Sequence, residues 1–353
     1  MAIFFAILLF SLLIFIHELG HFVAAKLFGV QVNEFSMFMG PAIVKWQRGE
    51  TLYAIRTIPV GGYCAMEGED VDTDNPRSFQ KAVWWKRLII LVAGAAMNFL
   101  IGVLIYGLLI LPAHQVVVPQ INAFDDCCIF NGEDGLQVGD TIVEIDGEKV
   151  FINGDISILL DMNQTGVHDL TINRAGETLE FRDYAMGHTH TDKNGKPYIH
   201  YGFSFGEAVD ADFGEKVNYV WKMVRDDVRM VRISLQMLLN GEAGIKDMTG
   251  PVGIVQIMSE SAADSKNASD AFQRLLSIGA FIAINLAVMN LLPIPALDGG
   301  RVLGLVLTTA IESITGKKLN PKYEGFIHGA GMVLLLALMA VILFKDVFTI
   351  FQG

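Results

Sequence analysis

The sequence predicts an α-helical membrane protein with four membrane-spanning helices, a membrane-associated β-hairpin, and an inserted extracytoplasmic domain of mixed α/β structure. Hydrophobic residues make up 52% of the 353 residues and charged residues only 18%, a more apolar balance than that of an ordinary soluble domain. A membrane-spanning helix needs about 20 consecutive apolar residues. Four segments meet this requirement: 2–25, 88–111, 275–297 and 326–344.

The first of these segments is interpreted as a retained helix. It lacks the basic leading region and the small-residue cleavage site of a secretory signal peptide. The net charge of −12 argues against nucleic acid as a partner. Three cysteines, Cys64, Cys127 and Cys128, predict no disulfide framework, and we expect free thiols without a role.

The basic residues predict the orientation of the spans. Eight lysines and arginines lie between the first two spans and four between the last two. Residues 112–171, by contrast, contain a single basic residue, Lys149. Basic loops tend to remain in the cytosol. We therefore expect both termini and the middle domain on the outer side of the membrane.

Two histidines and a glutamate occupy the first span, in the run HELGH at residues 17–21. Ionisable groups inside a membrane segment are expensive and usually functional. On a helix, His17 and His21 lie on one face, four residues apart, a spacing suited to one zinc ion. Glu18 is then placed to take a proton from a metal-bound water. The pattern predicts a zinc protease site nearer the cytosolic face of the bilayer.

A zinc ion held by two histidines needs at least one further protein ligand. Asp298 is the best candidate, because the predicted topology brings it to the cytosolic end of the third span, at the depth of the two histidines. The alternative is a solvated carboxylate at a helix end. Pro293 and Pro295 precede Asp298 and predict a break in the helix, since proline lacks a backbone N–H.

Together these motifs resemble the site-2 protease family, and within it the bacterial RseP-type branch that regulates sigma-factor activation. The resemblance rests on HELGH at 17–21, the pattern NxxPxPxLDGG at 290–300 and a Gly-Gly-Tyr turn at 61–63, and it covers nearly the whole chain. It implies a bacterial cytoplasmic-membrane protease with His17, His21 and Asp298 as zinc ligands and Glu18 as general base.

Two asparagines near the third span are candidate substrate-binding residues. The amides of Asn285 and Asn290 could bind the backbone of an unwound substrate or help to stabilise an oxyanion, and the resemblance supports substrate binding by both. The alternative is a set of polar contacts between helices.

The segment from Thr51 to Met66 is rich in β-branched and aromatic residues, and its Gly-Gly turn predicts a hairpin. A strand edge there could hold a substrate extended by β-augmentation, with Gly61, Gly62 and Tyr63 as binding residues. The resemblance favours a sheet that dips into the membrane beside the active site. A purely structural hairpin is the alternative.

Residues 117–206 change to strand and turn patterning. Apolar and polar residues alternate between turn glycines at 135–147, followed by a predicted helix at 156–162 and strands near 170–174 and 178–182. This region looks like a single PDZ domain. Such a domain can bind extended C-termini or act as a steric filter, and the sequence leaves both open.

Two further features belong to the outer region. His188, His190 and His200 suggest a second metal site, but without a tight ligand spacing we expect solvated loop residues. Residues 215–239 predict an amphipathic helix, lying on the outer leaflet or packed against the PDZ domain. A turn is expected at Gly250–Gly253 before the third span.

The combined prediction is an intramembrane zinc endopeptidase that cleaves single-span membrane proteins. Membrane lipid is its other expected partner. Relatives in the resembled family act on anti-sigma factors and remnant signal peptides. The alternatives are a zinc transporter and a PDZ-bearing scaffold without protease activity. The oligomeric state is not predicted. The expected division of the chain is 1–116, 117–206, 207–272 and 273–353.

Overall fold

The computed structural model describes residues 2–69, 73–125, 135–191, 197–241, 243–244, 248, 250–316 and 322–352. The chain forms two compact units, which we name the helical unit (Met1–Ile105 with Met230–Gly353) and the sheet unit (Tyr106–Arg229). The sheet unit contains the predicted PDZ region. Both the PDZ identification and the four-part division of the chain stay predictions.

Eight α-helices occur among the described residues: α1 (Ala2–Leu27), α2 (Trp84–Ile110), α3 (Gly154–Met162), α4 (Phe213–Asn240), α5 (Pro251–Ala263), α6 (Ala268–Asn290), α7 (Asp298–Thr315) and α8 (Lys322–Gln352). The described strands are β1 (Val32–Arg48), β2 (Thr51–Met66), β3 (Gln115–Phe124), β4 (Thr141–Ile145), β5 (Glu148–Lys149), β6 (Val167–Arg174), β7 (Glu177–Ala185), β8 (His188–Thr191), β9 (Pro197–His200) and β10 (Phe203–Asp210).

Four of these helices are long and apolar enough to cross a membrane, and they correspond to the four predicted spans. Their spanning segments are Phe5–Leu27, Trp84–Ile110, Ala268–Asn290 and Gly325–Asp346.

The third span ends earlier than the sequence predicts. It stops at Asn290, and the proline-containing segment that follows forms turns up to residue 297. A new helix, α7, then starts at Asp298. Neither Pro293 nor Pro295 can donate an intrahelical hydrogen bond, which explains why the helix is interrupted here. Asp298 therefore opens a helix instead of closing one.

Close packing of α1, α2 and the β1–β2 sheet forms one core of the helical unit, around Ala25, Val32, Phe35 and Ile90. A Cβ atom on Gly20 of α1 would overlap the carbonyl oxygen of Ala93 in α2, so glycine permits the close approach of these helices.

A second core joins α1, α5 and α6 through Leu13, Met258 and Ala283. Helix α5 was not predicted. The sequence Gly250–Gly253 does not form the expected turn, because Pro251 starts α5 as its first helical residue, where a missing N–H costs nothing.

Strands β1 and β2 form a sheet that is more folded than a simple hairpin. The chain reverses at Gly49–Glu50, and the early part of β1 pairs with two parts of β2. Phe35, for example, is paired with Tyr53 on one side and with Cys64 on the other. Residues 62–66 have a partner on one side only among the described residues. They form an edge of the sheet.

The predicted hairpin within Thr51–Met66 is wrong in its pairing, although the chain does reverse within this segment. Residues 52–55 run parallel to residues 34–37, whereas residues 62–65 run antiparallel to them, so the chain reverses between Ile55 and Gly62, where Gly61 has φ +80°. The two arms lie on opposite sides of β1 and pair with it instead of with each other. The β-rich composition was interpreted correctly, whereas the pairing depends on β1, which the local pattern does not reveal.

The sheet unit contains a sheet with strand order β10-β3-β4-β6-β7, and β5 pairs with β4. Helix α3 and the strands β6 and β7 confirm the helix and strands predicted for this region. Its core consists of fully buried aliphatic side chains, including Ile121, Ile142, Ile156 and Ile172. Strands β8 and β9 form a separate two-stranded hairpin.

Helix α4 confirms the predicted helix at 215–239. Within the sheet unit, Arg229 of α4 lies 3.0 Å from the carboxylate of Asp155 in α3 and donates to the carbonyl oxygen of Lys149. Of the two arrangements considered for this helix, these contacts favour packing against the domain.

Candidate metal centre

Helix α1 brings the two histidines of its HELGH run onto one face. The Nε2 atoms of His17 and His21 are 3.2 Å apart, and the rings meet edge to face. This follows from the helical repeat, because residues four apart are neighbours on a helix surface. His21 is buried and His17 is nearly so. Both side chains therefore offer a nitrogen to the same point.

Asp298 joins them from the first turn of α7. Its Oδ2 atom lies 3.1 Å from His17 Nε2 and 3.2 Å from His21 Nε2. The tight loop before α7 depends on two glycines. A Cβ on Gly299 would overlap the carbonyl of Leu292, and one on Gly300 would overlap that of Ile294. The DGG run thus lets the chain fold back so closely that the carboxylate reaches the histidines.

The three atoms form a nearly equilateral triangle whose size suits zinc. Zn–ligand bonds of about 2.0–2.1 Å at tetrahedral angles separate neighbouring ligand atoms by about 3.3–3.4 Å. Asp298 Oδ2 is buried and accepts no hydrogen bond of acceptable geometry, although both imidazoles lie close to it. Among the described residues, this is the only group of three potential ligands that converges in this way. The donor set fits a zinc ion with an open fourth position.

Neighbouring groups orient the two imidazoles. His21 Nδ1 lies 2.8 Å from the carbonyl oxygen of Ile90 in α2, so this nitrogen carries the proton and Nε2 is left as the ligand atom. Asn290 places its side-chain amide 3.4 Å from His17 Nδ1. With its amide turned so that oxygen faces the ring, Asn290 would hold His17 in the same tautomer.

Gly94 of α2 contributes by having no side chain. A Cβ atom there would overlap His21 Nε2 and lie 2.8 Å from His17 Cε1. This residue was not among the predicted site residues. Its only signal was a glycine among small residues in an apolar span, a feature that many membrane helices share.

Glu18 lies beside the sheet edge formed by residues 62–66. A Cβ on Gly62 would be 3.5 Å from Glu18 Cγ, so the main chain of β2 passes directly by the proposed base. The neighbouring Tyr63 points elsewhere, because its hydroxyl accepts a hydrogen bond from Arg56 at 2.7 Å. Gly61 approaches Met39. Of these three candidate binding residues, only Gly62 is placed beside Glu18.

The two candidate asparagines do not share a face of α6. Five helical residues correspond to a rotation of about 140°, so Asn285 and Asn290 point in different directions. Asn290 is beside His17, and Asn285 is half-buried on another side of the helix.

An ion pair at the start of α7 was also missed. Arg301 donates to Glu69, just after β2, and thus ties the beginning of α7 to the end of the sheet. Nothing in the sequence spacing pairs these residues.

Comparison with known proteins identifies the family. The model of peptidase family M50 matches residues 5–338. The chain belongs to peptidase family M50. A Clostridium acetobutylicum protein provisionally named a zinc metalloprotease is 35% identical over 97% of this chain and 96% of its own length. A Clostridium perfringens protein with the same provisional name is 32% identical over 98% of both chains.

A further M50 relative has a more specific name. The regulator of sigma-W protease RasP from Bacillus subtilis is 27% identical over 98% of both chains. Family membership and these names make the chain a zinc metalloprotease, so zinc is its cofactor. The four apolar helices agree with a multi-pass membrane protein. The residue roles proposed above stay predictions.

Proposed function

We propose that this M50 peptidase cleaves single-span membrane proteins within or near the bilayer. The observation that carries the proposal is the position of the three converging ligand atoms. Two of them belong to α1 inside the segment Phe5–Leu27, which is apolar and long enough to span a membrane, and the third belongs to the helix that follows the third such segment. A peptide bond reaching this point comes from a substrate at membrane depth.

His17, His21 and Asp298 would hold the zinc ion. Bound zinc supplies Lewis acidity, which acidifies a water molecule and polarises the scissile carbonyl. Glu18 then takes the water proton and passes it to the leaving amine. Ile90 and Asn290 keep the two imidazoles oriented. Because this geometry is fixed in advance, the site does not have to reorganise during the reaction.

The edge of the sheet at residues 62–66 is the proposed substrate clamp. A helical substrate resists hydrolysis because its amides are paired internally, so it must be held extended. An unpaired edge offers backbone donors and acceptors for this purpose. The edge passes Glu18 at Gly62, so a strand added to it would lie beside the proposed base. Backbone pairing also tolerates varied sequences.

By analogy with RasP, whose name describes a sigma-W regulator, we propose anti-sigma factors as one substrate class and remnant signal peptides as another. The proposed location is the bacterial cytoplasmic membrane, with the sheet unit outside. The sheet unit, as a PDZ domain, would bind extended termini or exclude substrates with bulky outer domains.

The alternatives have less support. A zinc transporter would need ionisable groups distributed along several spans, but the charged residues of α2 and α6 lie only in their first two turns: Lys86, Arg87, Asp270 and Arg274. A scaffold with a decayed site would not keep three ligand atoms and an acid in place. Neither alternative agrees with membership of a peptidase family.

The test is cleavage of a single-span reporter in proteoliposomes by the wild type and by Glu18→Gln. We expect the variant to keep its zinc and to lose cleavage by a factor of about 10² to 10⁴, the usual contribution of a general base. Cleavage of the reporter by Glu18→Gln at the wild-type rate would contradict the mechanism. Cleavage only of soluble, unfolded peptides by the wild type would contradict the intramembrane proposal.

A further inference from the structure

Strands β8 and β9 carry three of the eight histidines of the chain. Their register pairs His188 with His200 and His190 with Tyr198. Residues two apart on a strand share a face, and so do residues directly opposite each other on antiparallel strands. His188, His190 and His200 therefore lie on one face of the hairpin, which we name the histidine face.

The side chains of the histidine face are already close. The rings of His190 and His200 are 5.2 Å apart between centroids and meet nearly edge to face. His188 is exposed and the other two are half-buried. Directly opposed residues on neighbouring strands have Cβ atoms about 4.5–5.5 Å apart, so the imidazole of His188 is within reach of that of His200.

A carboxylate completes the group. Asp125 Oδ2 lies 2.8 Å from His200 Nε2. Asp125 directly follows β3, and its backbone N–H donates to the carbonyl oxygen of Gly202 at 2.8 Å, which fixes its position at the base of the hairpin. A carboxylate that accepts a hydrogen bond from one imidazole nitrogen leaves the other nitrogen available as a ligand, the usual arrangement behind a zinc-bound histidine.

We propose that the histidine face binds one zinc ion through His188, His190 and His200, with Asp125 orienting His200. Imidazole nitrogen is a preferred ligand of zinc, and three protein ligands with one open position make a sufficient set. The ligand atoms come together when the ion binds, because the exposed side chain of His188 can change rotamer to join the other two. The ion would link β8 to β9 directly and would link both strands to the end of β3 through the hydrogen bond between His200 and Asp125.

The site is separate from the M50 centre. All four residues belong to the sheet unit, whereas His17, His21 and Asp298 belong to the helical unit. The proposal therefore does not rest on the proposed function. The sequence alone did not support it, because the spacing of 188, 190 and 200 acquires meaning only from the strand register.

The experiment compares zinc binding by the full-length chain, without a polyhistidine tag, in detergent. After removal of metal with a chelator, each protein is dialysed against micromolar free Zn²⁺ and its zinc is counted by mass spectrometry. The variants are the wild type, the double variant His190→Asn with His200→Asn, and His114→Asn. His114 is an exposed histidine just before β3 and is the matched control.

We expect the wild type and His114→Asn to bind about one zinc equivalent more than the double variant, whatever the M50 centre holds. Zinc should also slow deuterium exchange in β8 and β9 of the wild type but not of the double variant, and reporter cleavage should be the same in all three proteins. Equal zinc content in the wild type and the double variant would overturn the proposal. So would an equal loss of zinc in His114→Asn, which would indicate non-specific binding to surface histidines.

Discussion

The helical unit and the sheet unit both bury carboxylates beside basic groups, but among the described residues only those of the helical unit converge on one point for a ligand. There, His17, His21 and Asp298 aim three atoms at one position. In the sheet unit, Arg229 lies 3.0 Å from Asp155 and donates to Asp226, while Asp227 accepts from the Tyr106 hydroxyl at 2.9 Å. These groups of the sheet unit pair with one another, although Asp155 Oδ1 and Arg229 Nε are buried without a hydrogen-bond partner.

The difference shows what identifies a functional centre among buried charges. Asp155 Oδ2 also accepts hydrogen bonds from the backbone N–H groups of Phe151 and Ile152. This carboxylate therefore has a structural role, because it connects the loop before α3 to Arg229. The Oδ2 atom of Asp298 is also buried but has no such donor. Burial alone therefore does not separate the two groups. A buried atom without a partner does not separate them either, because Asp155 Oδ1 is also one. The convergence of three ligand atoms on one point does.

The largest expected effect comes from removing a proposed ligand. Asp298→Ala takes away one of three ligand atoms, so we expect it to lose bound zinc and all measurable reporter cleavage. Glu18→Gln is the matched comparison, since it should lose cleavage but keep zinc. Metal analysis of both purified proteins separates the roles. Unchanged zinc content in Asp298→Ala would contradict its assignment as a ligand.

A smaller but specific effect is expected from Gly94→Ala. The added methyl group would overlap His21 Nε2, so the imidazole must move, and we expect zinc affinity and cleavage to fall at least tenfold. Gly107→Ala in the same helix is the control, because its Cβ would meet nothing closer than 3.9 Å. The two variants are compared by chelator competition. Equal behaviour would mean that α2 does not shape the site.

In the sheet unit, Arg229→Met should lower the local free energy of opening and leave the bound zinc content unchanged. It leaves Asp155 and Asp226 buried without their cation, which typically costs about 3–5 kcal/mol. Arg225→Met is the control, since Arg225 is exposed and also stacks on Phe151 but makes no such ion pair. Hydrogen exchange of peptides from β4 and β6 measures the local free energy of opening. Similar values for both variants would show that the buried pair contributes little.

The smallest expected effect is a pH dependence of the free energy of opening, measured by hydrogen exchange of the same peptides from β4 and β6. Burial raises the pKa of Asp227 to about 7, although the hydrogen bond from Tyr106 lowers it. Burial and the neighbouring carboxylate of Asp155 also raise the pKa of Asp226. Between about pH 4 and pH 7 the folded state therefore holds protons that the unfolded chain has released. The free energy of opening should fall as pH rises, by roughly 1 kcal/mol per pH unit for each carboxyl group.

Asp227→Asn removes one of these titrating groups and should flatten this slope. Asp210→Asn, which changes an exposed carboxyl group in the same unit, should leave it unchanged. A free energy of opening that rises between pH 5 and pH 7 in the wild type would contradict the direction expected from the pKa values.

The sequence predicted the parts of the fold that depend on local periodicity. The four long apolar helices were found because length and hydropathy determine them, and the histidines of α1 were placed together by helical spacing alone. Asp298 was proposed from ligand count and topology, and its position beside the histidines agrees with that reasoning. The helix break at Pro293 and Pro295 was predicted, but the new helix that starts at Asp298 was not, because its path depends on tertiary packing.

The remaining features depend on how elements meet. Gly94 and the carbonyl of Ile90 matter only because α2 crosses α1 at the metal centre, and Arg301 meets Glu69 only after α7 has folded back. The pairing of both arms of β2 with β1 was not predicted for the same reason. The histidine face shows it most clearly, since its three residues looked dispersed until the register of β8 and β9 brought them together.

The most direct test of the M50 centre is zinc-edge X-ray absorption of purified Glu18→Gln in combination with His190→Asn and His200→Asn, so that only this centre contributes. The expected spectrum has nitrogen and oxygen ligands at about 2.0–2.1 Å, with two imidazoles and no sulfur. Cys64 is buried in β2 beside this region and is the thiol whose coordination would contradict the assignment. A sulfur shell at about 2.3 Å, or a single imidazole, would show that His17, His21 and Asp298 do not hold the ion together.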